Sequence, residues 1–179
     1  MPSSKKVETG IMRIFLIGFM GSGKSFRGRQ LSQKLGIPFF DLDAEIVNSE
    51  ARSVNDIFAE QGEEYFRQKE KEVMHILTES HGSFVMACGG GTPCFFNNIE
   101  FMNEKGVVVW LNTSLQQLFE RLLKEKAERP LLKDLGDDQL KAFIAKKFAD
   151  RRIYYEQAKV HIDDDNATLE QMIEKIFHA

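Results

Sequence analysis

Apolar and polar positions along the chain follow two periods in turn. Continuous apolar runs at 14–17, 84–88 and 107–111 read as short strands buried on both faces, and 37–42 and 160–163 as two more. Helical spacing fills the intervals. A first helix runs to about Leu35, with Phe26, Leu31 and Leu35 toward the sheet, and Gly36 and Pro38 stop it. Residues 44–80 are helical with a break near Gly62. Ser53 and Asp56 give a capping signal there, and Phe66, Val73 and Leu77 fall in phase. Thr113 and Gln116 cap a helix striped by Leu115, Leu118, Phe119 and Leu122, which ends at Pro130. After a loop at 136–138, a helix reaches Tyr155 with Leu140, Ile144 and Phe148 in phase. Thr168 and Gln171 cap the last helix, whose buried face is Leu169, Met172, Ile173 and Ile176.

With a further helix between the third and fourth strands, the order is β-α-β-αα-β-α-β-α-α-β-α. Apolar strands alternating with helices predict an α/β protein whose five-stranded parallel sheet is covered on both faces. Ligands of such sheets bind beyond the carboxyl ends of the strands. Three polar or glycine-rich segments meet that edge: 18–25, Asp41 with Asp43, and Gly89–Gly90–Gly91.

The first carries the most specific chemistry. After the 14–17 strand the chain fits G-x-x-x-x-G-K-[ST], with Gly18, Gly23, Lys24 and Ser25 at the fixed places, and a helix follows. In this context loop amides such as those of Gly21, Ser22 and Gly23 surround phosphate oxygens, Lys24 reaches the β- and γ-phosphates, and Ser25 binds Mg²⁺. Asp41 and Asp43, two apart at a strand end, point the same way if the strand persists. One can then serve the metal and the other an acceptor hydroxyl, or Asp43 simply caps a helix. Gly89, Gly90 and Gly91 allow close approach of a ligand, or form a tight βα turn.

Composition narrows the class. A chain of 179 residues with net charge −3 is one domain without the overall positive charge of a nucleic-acid binder. No apolar run approaches the roughly 18 residues that span a membrane. Residues 1–11 are polar and are expected as a disordered extension before a single domain at 12–179. Cys88 and Cys94, without a secretion signal, suit a reducing cytoplasm.

Among the basic residues, Arg129 closes a charged stretch before Pro130, which fits either a mobile lid over the phosphates or an exposed linker. Arg151 follows Phe148 by three and precedes Tyr155 by four, so it falls in the buried stripe and needs an anionic partner, a bound carboxylate or an internal acid. Arg152 is nearly as well placed.

Taken together, 18–25, Asp41–Leu42–Asp43, 56–67 ending in Arg67, Gly89–Gly90–Gly91, Arg129–Pro130–Leu131–Leu132, and Arg151 with Tyr155 resemble shikimate kinase, a small P-loop kinase of the nucleoside-monophosphate-kinase-like group. The resemblance runs from about Met12 to the last helix. It implies a three-layer α/β/α kinase fold, a helical substrate-binding segment at about 43–80 and a mobile lid at about 124–137. It also implies transfer of the ATP γ-phosphate to the 3-hydroxyl of shikimate, toward aromatic amino acids, with Mg²⁺ as cofactor. By position, Gly21, Ser22, Gly23, Lys24, Ser25, Phe26 and Arg129 contact the nucleotide, and Ser25 and Asp41 serve the metal. Asp43, Arg67, Gly89, Gly90, Gly91 and Arg151 hold shikimate. Lys24, Asp43 and Arg129 carry the catalysis. The expected partners are ATP and shikimate, with no nucleic acid or membrane, and the expected state is a monomer.

Three positions depart from the family pattern. Phe26 replaces a small hydroxyl residue, Ile153 replaces a proline two after the last arginine, and 163–166 lack an arginine found near the adenine in some members. The rival readings are another small-molecule P-loop kinase, such as a gluconate kinase, and a nucleotide-binding module without catalysis.

Overall fold

The computed structural model describes residues 10–179, so residues 1–9 of the expected extension lie outside it. Five strands form one parallel sheet in the order β2-β3-β1-β4-β5: β1 Arg13–Ile17, β2 Phe39–Asp41, β3 Phe84–Ala87, β4 Val107–Leu111 and β5 Val160–Ile162. β1 is central, with Phe15 opposite Met86 of β3 and Val108 of β4. Successive strand residues face opposite layers. Phe15 and Ile17 join Leu42, Ile46, Phe66, Met74 and Tyr155 in one core; Ile14 and Leu16 join Leu31, Met172 and Ile176 in the other.

The first core is covered by α2 (Leu42–Glu50), α3 (Val54–Ser80), α4 (Asn98–Lys105) and the end of α6 (Asp137–Tyr155). The second is covered by α1 (Lys24–Leu35) and α7 (Leu169–Phe177). A third apolar cluster lies beside the phosphate loop. Phe19 packs there with Leu118 and Leu122 of α5 (Leu115–Glu125), Leu132, and Leu140 and Ile144 of α6.

Most helix boundaries follow local chemistry. Thr168 accepts from the Gln171 amide while the Gln171 side chain accepts from the Thr168 amide, the reciprocal cap expected from their spacing. Ser53 accepts from the Asp56 amide, and the 54–80 helix breaks at Gly62, whose φ of 85° suits glycine. Four expectations are corrected. Ser114, not Thr113, caps α5 by accepting from the Gln117 amide at 3.3 Å; Thr113 is buried against the phosphate loop. α6 begins at Asp137, inside the expected loop, with the Gly136 amide donating to the Gln139 side chain. β2 ends at Asp41 and Leu42 opens a helix, because Leu42 and Ile46 bury together at helical spacing. Phe26 is 65% exposed, not turned to the sheet. It lies five residues before Leu31, about 140° around the helix.

The sheet-facing position on that turn is Gly28. A Cβ there would run into the Phe39 ring and come within 3.3 Å of Leu16, so α1 lies on the sheet as closely as a glycine permits. This seat fixes the angle at which the phosphate loop leaves β1. Gly28→Val should lower stability by about 1–3 kcal/mol through overpacking, visible as a fall of several degrees in the thermal midpoint.

Candidate active site

Beyond the carboxyl ends of β1, β2 and β3 lies an open cleft of about 510 Å³. The phosphate loop forms one wall. Gly21 and Gly23 have φ of 81° and 86°, a backbone region that side chains with a Cβ rarely occupy. These values turn the chain sharply into α1. The Lys24 ammonium donates to the carbonyls of Gly18 at 2.8 Å and Phe19 at 3.0 Å. Its removal from water pulls its pKa down to about 8, with the charge of Asp43 opposing that shift and Arg151 adding to it. Ser22 Oγ is buried without a hydrogen-bond partner among the described residues.

Asp41 and Asp43 both line the cleft, though they do not share a strand face. Asp41, the last residue of β2, caps α2: one carboxylate oxygen accepts from the Ala44 amide at 3.2 Å and the other from Ser25 Oγ at 2.6 Å. The capping role considered for Asp43 therefore belongs to Asp41. Asp43 sits in the first turn of α2. Burial and the neighbouring Asp41 charge raise its pKa above the usual carboxylate range, with Lys24 and Arg67 pulling the other way.

The glycine triplet explains itself sterically. None of its three residues has a positive φ. A Cβ on Gly89 would lie 3.3 Å from Asp43 Oδ1, and one on Gly90 would lie 3.0 Å from Arg151 Nη1. One on Gly91 would lie 2.5 Å from Arg67 Nη2. Each missing side chain makes room for a different charged group, so three elements distant in sequence converge on one turn. Tyr155 adds a fourth tie, its hydroxyl donating to the Gly90 carbonyl at 2.6 Å.

Arg151 therefore faces the site, its guanidinium also lying over the Phe19 ring at 5.6 Å. Arg152 points outward and pairs with Glu156 at 2.6 Å. Arg67 lies beside Gly91, paired with the buried Glu70 at 3.0 Å and with Glu63 at 3.4 Å. Arg129 lines the cleft and pairs with Glu125. Phe26 lines its mouth. Gly91, the last residue of the turn, and the Arg67 and Arg151 that reach the turn do not line the cleft itself.

Three contributors escaped the sequence reading. Arg121 lines the cleft and donates to the Gly21 carbonyl at 2.9 Å. Thr92 donates to Glu70 at 2.7 Å. Glu70 itself carried a readable signal, since it lies four after Phe66 and three before Val73, an acid inside an apolar stripe. Burial raises its pKa, while Arg67 and the Thr92 hydroxyl counter the shift.

Oxygen donors suited to a hard divalent cation are present in Ser25 Oγ and Asp41. No group of three or more His, Cys, Asp or Glu side chains gathers for a metal among the described residues. A cation carried in by phosphates and completed by water requires no such group.

The family description Shikimate kinase matches residues 20–179. The chain belongs to the shikimate kinase family. It is 39% identical over 164 residues to a shikimate kinase of Azobacteroides pseudotrichonymphae, covering 92% of this chain and 96% of that one. A shikimate kinase crystal structure from Bacteroides thetaiotaomicron superposes with a TM-score of 0.84 at 38% identity, covering 93% and 95% of the two chains. That of Acinetobacter baumannii in complex with shikimate superposes with a TM-score of 0.81 at 31% identity, covering 94% and 92%. The activity is that of shikimate kinase, an ATP-dependent phosphotransferase, which sets aside the gluconate-kinase and non-catalytic readings. Ile153, where the family pattern has a proline, is exposed on α6.

The low pKa of Lys24 gives a signed pH dependence. Polyphosphate in the loop favours the charged lysine, so nucleotide binding should take up a proton near pH 8 and weaken as pH rises through that value. Calorimetry with ADP should show roughly tenfold weaker binding at pH 9 than at pH 7, with net proton uptake between buffers of different ionisation enthalpy.

Proposed function

We propose that the chain phosphorylates the 3-hydroxyl of shikimate with ATP through the residues assembled at this edge. The observation that carries the reading is the glycine turn, where Asp43, Arg151 and Arg67 converge beside a phosphate loop. An acceptor with one carboxylate and several hydroxyls matches two arginines facing one acid.

On this reading the loop amides of Gly21, Ser22 and Gly23 and the Lys24 ammonium hold the β- and γ-phosphates, while Phe26 borders the nucleotide at the cleft mouth. Ser25 and Asp41 would hold Mg²⁺, which neutralises phosphate charge when bound. Arg67 and Arg151 hold the substrate carboxylate, and Gly89, Gly90 and Gly91 let the ring lie against backbone. Asp43 orients the attacking hydroxyl and accepts its proton, a task suited to a carboxylate whose pKa is raised. Arg129 leaves Glu125 for the transferring phosphoryl group as 124–137 closes, and Lys24 follows the charge toward the leaving phosphate. Leu132 is fully buried while Leu131 is 74% exposed, so this lid is anchored at one residue and free at the next. The domain bounds, action as a monomer and cytoplasmic location belong to the same reading. It draws on two free thiols and on the absence, among the described residues, of any helix long and apolar enough to cross a membrane.

Purified protein with ATP and Mg²⁺ should release ADP when shikimate is supplied and not with gluconate, in a coupled ADP assay. Equal turnover with both acceptors would reject the assignment of the acceptor half. Asp43→Asn should reduce kcat by 10²-fold or more with ADP affinity nearly unchanged, on the order expected for loss of a general base; wild-type turnover would remove Asp43 from the chemistry.

A further inference from the structure

Arg67 is held more elaborately than a surface ion pair requires. Its Nε and Nη2 lie 3.4 Å from a single oxygen of Glu63, which is exposed, and Nη1 lies 3.0 Å from Glu70, which is buried. These contacts act on the edges of the guanidinium plane. The guanidinium carbon also lies over the ring of Phe95, 4.3 Å from its centroid, with the Phe66 centroid at 5.3 Å. A guanidinium has five N–H donors. The carboxylates engage three nitrogens once each, leaving one N–H on each terminal nitrogen for a further anion.

The segment that delivers Phe95 is strained. Phe96 and Asn97, which follow it, have φ of 49° and 56°, a left-handed pair without glycine. Such a turn persists only where its surroundings hold it. Asn98, fully buried, donates through Nδ2 to the Thr92 carbonyl at 2.9 Å, and its amide donates to the Phe95 carbonyl at 2.9 Å. Thr92 in turn donates to Glu70, the partner of Arg67. The loop thus closes on Thr92, which bonds the acid that holds Arg67, and it brings the Phe95 ring against that arginine.

We infer that Phe95 is a positioning residue for the acceptor: its ring holds the Arg67 guanidinium in place so that its spare N–H donors meet the substrate carboxylate. This rests on the proposed role of Arg67. Cation–π attraction and shape both contribute, and the attraction strengthens as the site is desolvated. Holding the guanidinium in advance spares the substrate the ordering of a long side chain on binding. Phe95 is not among the residues that line the cleft, so its effect is expected on acceptor binding through Arg67.

The test is steady-state kinetics of full-length Phe95→Leu, Phe95→Tyr, Arg67→Ala and the Phe95→Leu/Arg67→Ala double variant, each first checked to be folded at the assay temperature. Phe95→Leu should raise KM for shikimate roughly three- to tenfold with kcat and KM for ATP within twofold, and Phe95→Tyr should restore the wild-type value. The double variant should match Arg67→Ala, since Phe95 acts through that arginine. The inference is overturned if Phe95→Leu leaves KM for shikimate unchanged while Arg67→Ala raises it, or if the two Phe95 substitutions behave alike. Should Arg67→Ala itself leave KM unchanged, the assignment of Arg67 fails and the role of Phe95 with it. If Phe95→Leu proves unstable, Phe95→Trp replaces it, with KM for shikimate at or below wild type expected and a rise counting against the inference.

Discussion

The carboxylate of Asp41 joins the two halves of this molecule. One oxygen closes the first turn of α2 and the other receives the Ser25 hydroxyl from the phosphate loop. The phosphate loop and α2 therefore share a single anchor, at the last residue of a three-residue strand. Everything downstream depends on that seam. It sets where Asp43 falls, in the first turn of the helix, and hence how Asp43 meets Gly89. The strand is short because the chain must turn into a helix to bury Leu42 and Ile46, so core packing and site geometry are consequences of one event.

Around the seam, buried and half-buried charges are managed by pairing. Arg67 meets Glu70 and Glu63, Arg129 meets Glu125, and Lys24 folds onto loop carbonyls. Leaving any of these groups desolvated and alone would be expensive in free energy. The pairings also hold the cations where an anionic ligand can take over part of their coordination. Arg67 is buried and held by two acids, whereas Arg129 is partly exposed and held by one. That contrast fits a fixed acceptor side and a moving lid on the donor side.

Much of this was legible in the residues. Continuous apolar runs located β1, β3 and β4, because a strand buried on both faces needs no polar alternation; the half-buried β2 and mixed β5 were read from shorter apolar stretches beside them. The loop motif announced a phosphate site because glycine, lysine and serine are each demanded there by backbone geometry or charge. Less legible were features set by packing at a distance. The side of α1 bearing Phe26 was misjudged because Gly28, with no side chain, is the true contact with the sheet. Asp41 and Asp43 were paired by strand periodicity, yet the strand stops between them. The choice between Arg151 and Arg152 needed the third dimension, where only Arg151 approaches Gly90. Arg121 sits beside the Leu118 and Leu122 stripe with no local mark of its purpose.

The central claim is that one strand edge holds donor and acceptor on opposite sides of the glycine turn. The most direct measurement is a crystal structure with ADP, Mg²⁺ and shikimate bound. The account predicts the β-phosphate within the loop of Gly21 to Ser25, and the shikimate carboxylate between Arg67 and Arg151 with a ring hydroxyl on Asp43. A shikimate carboxylate bound instead to Arg129 or Arg152, or an acceptor ring remote from Gly90, would contradict it.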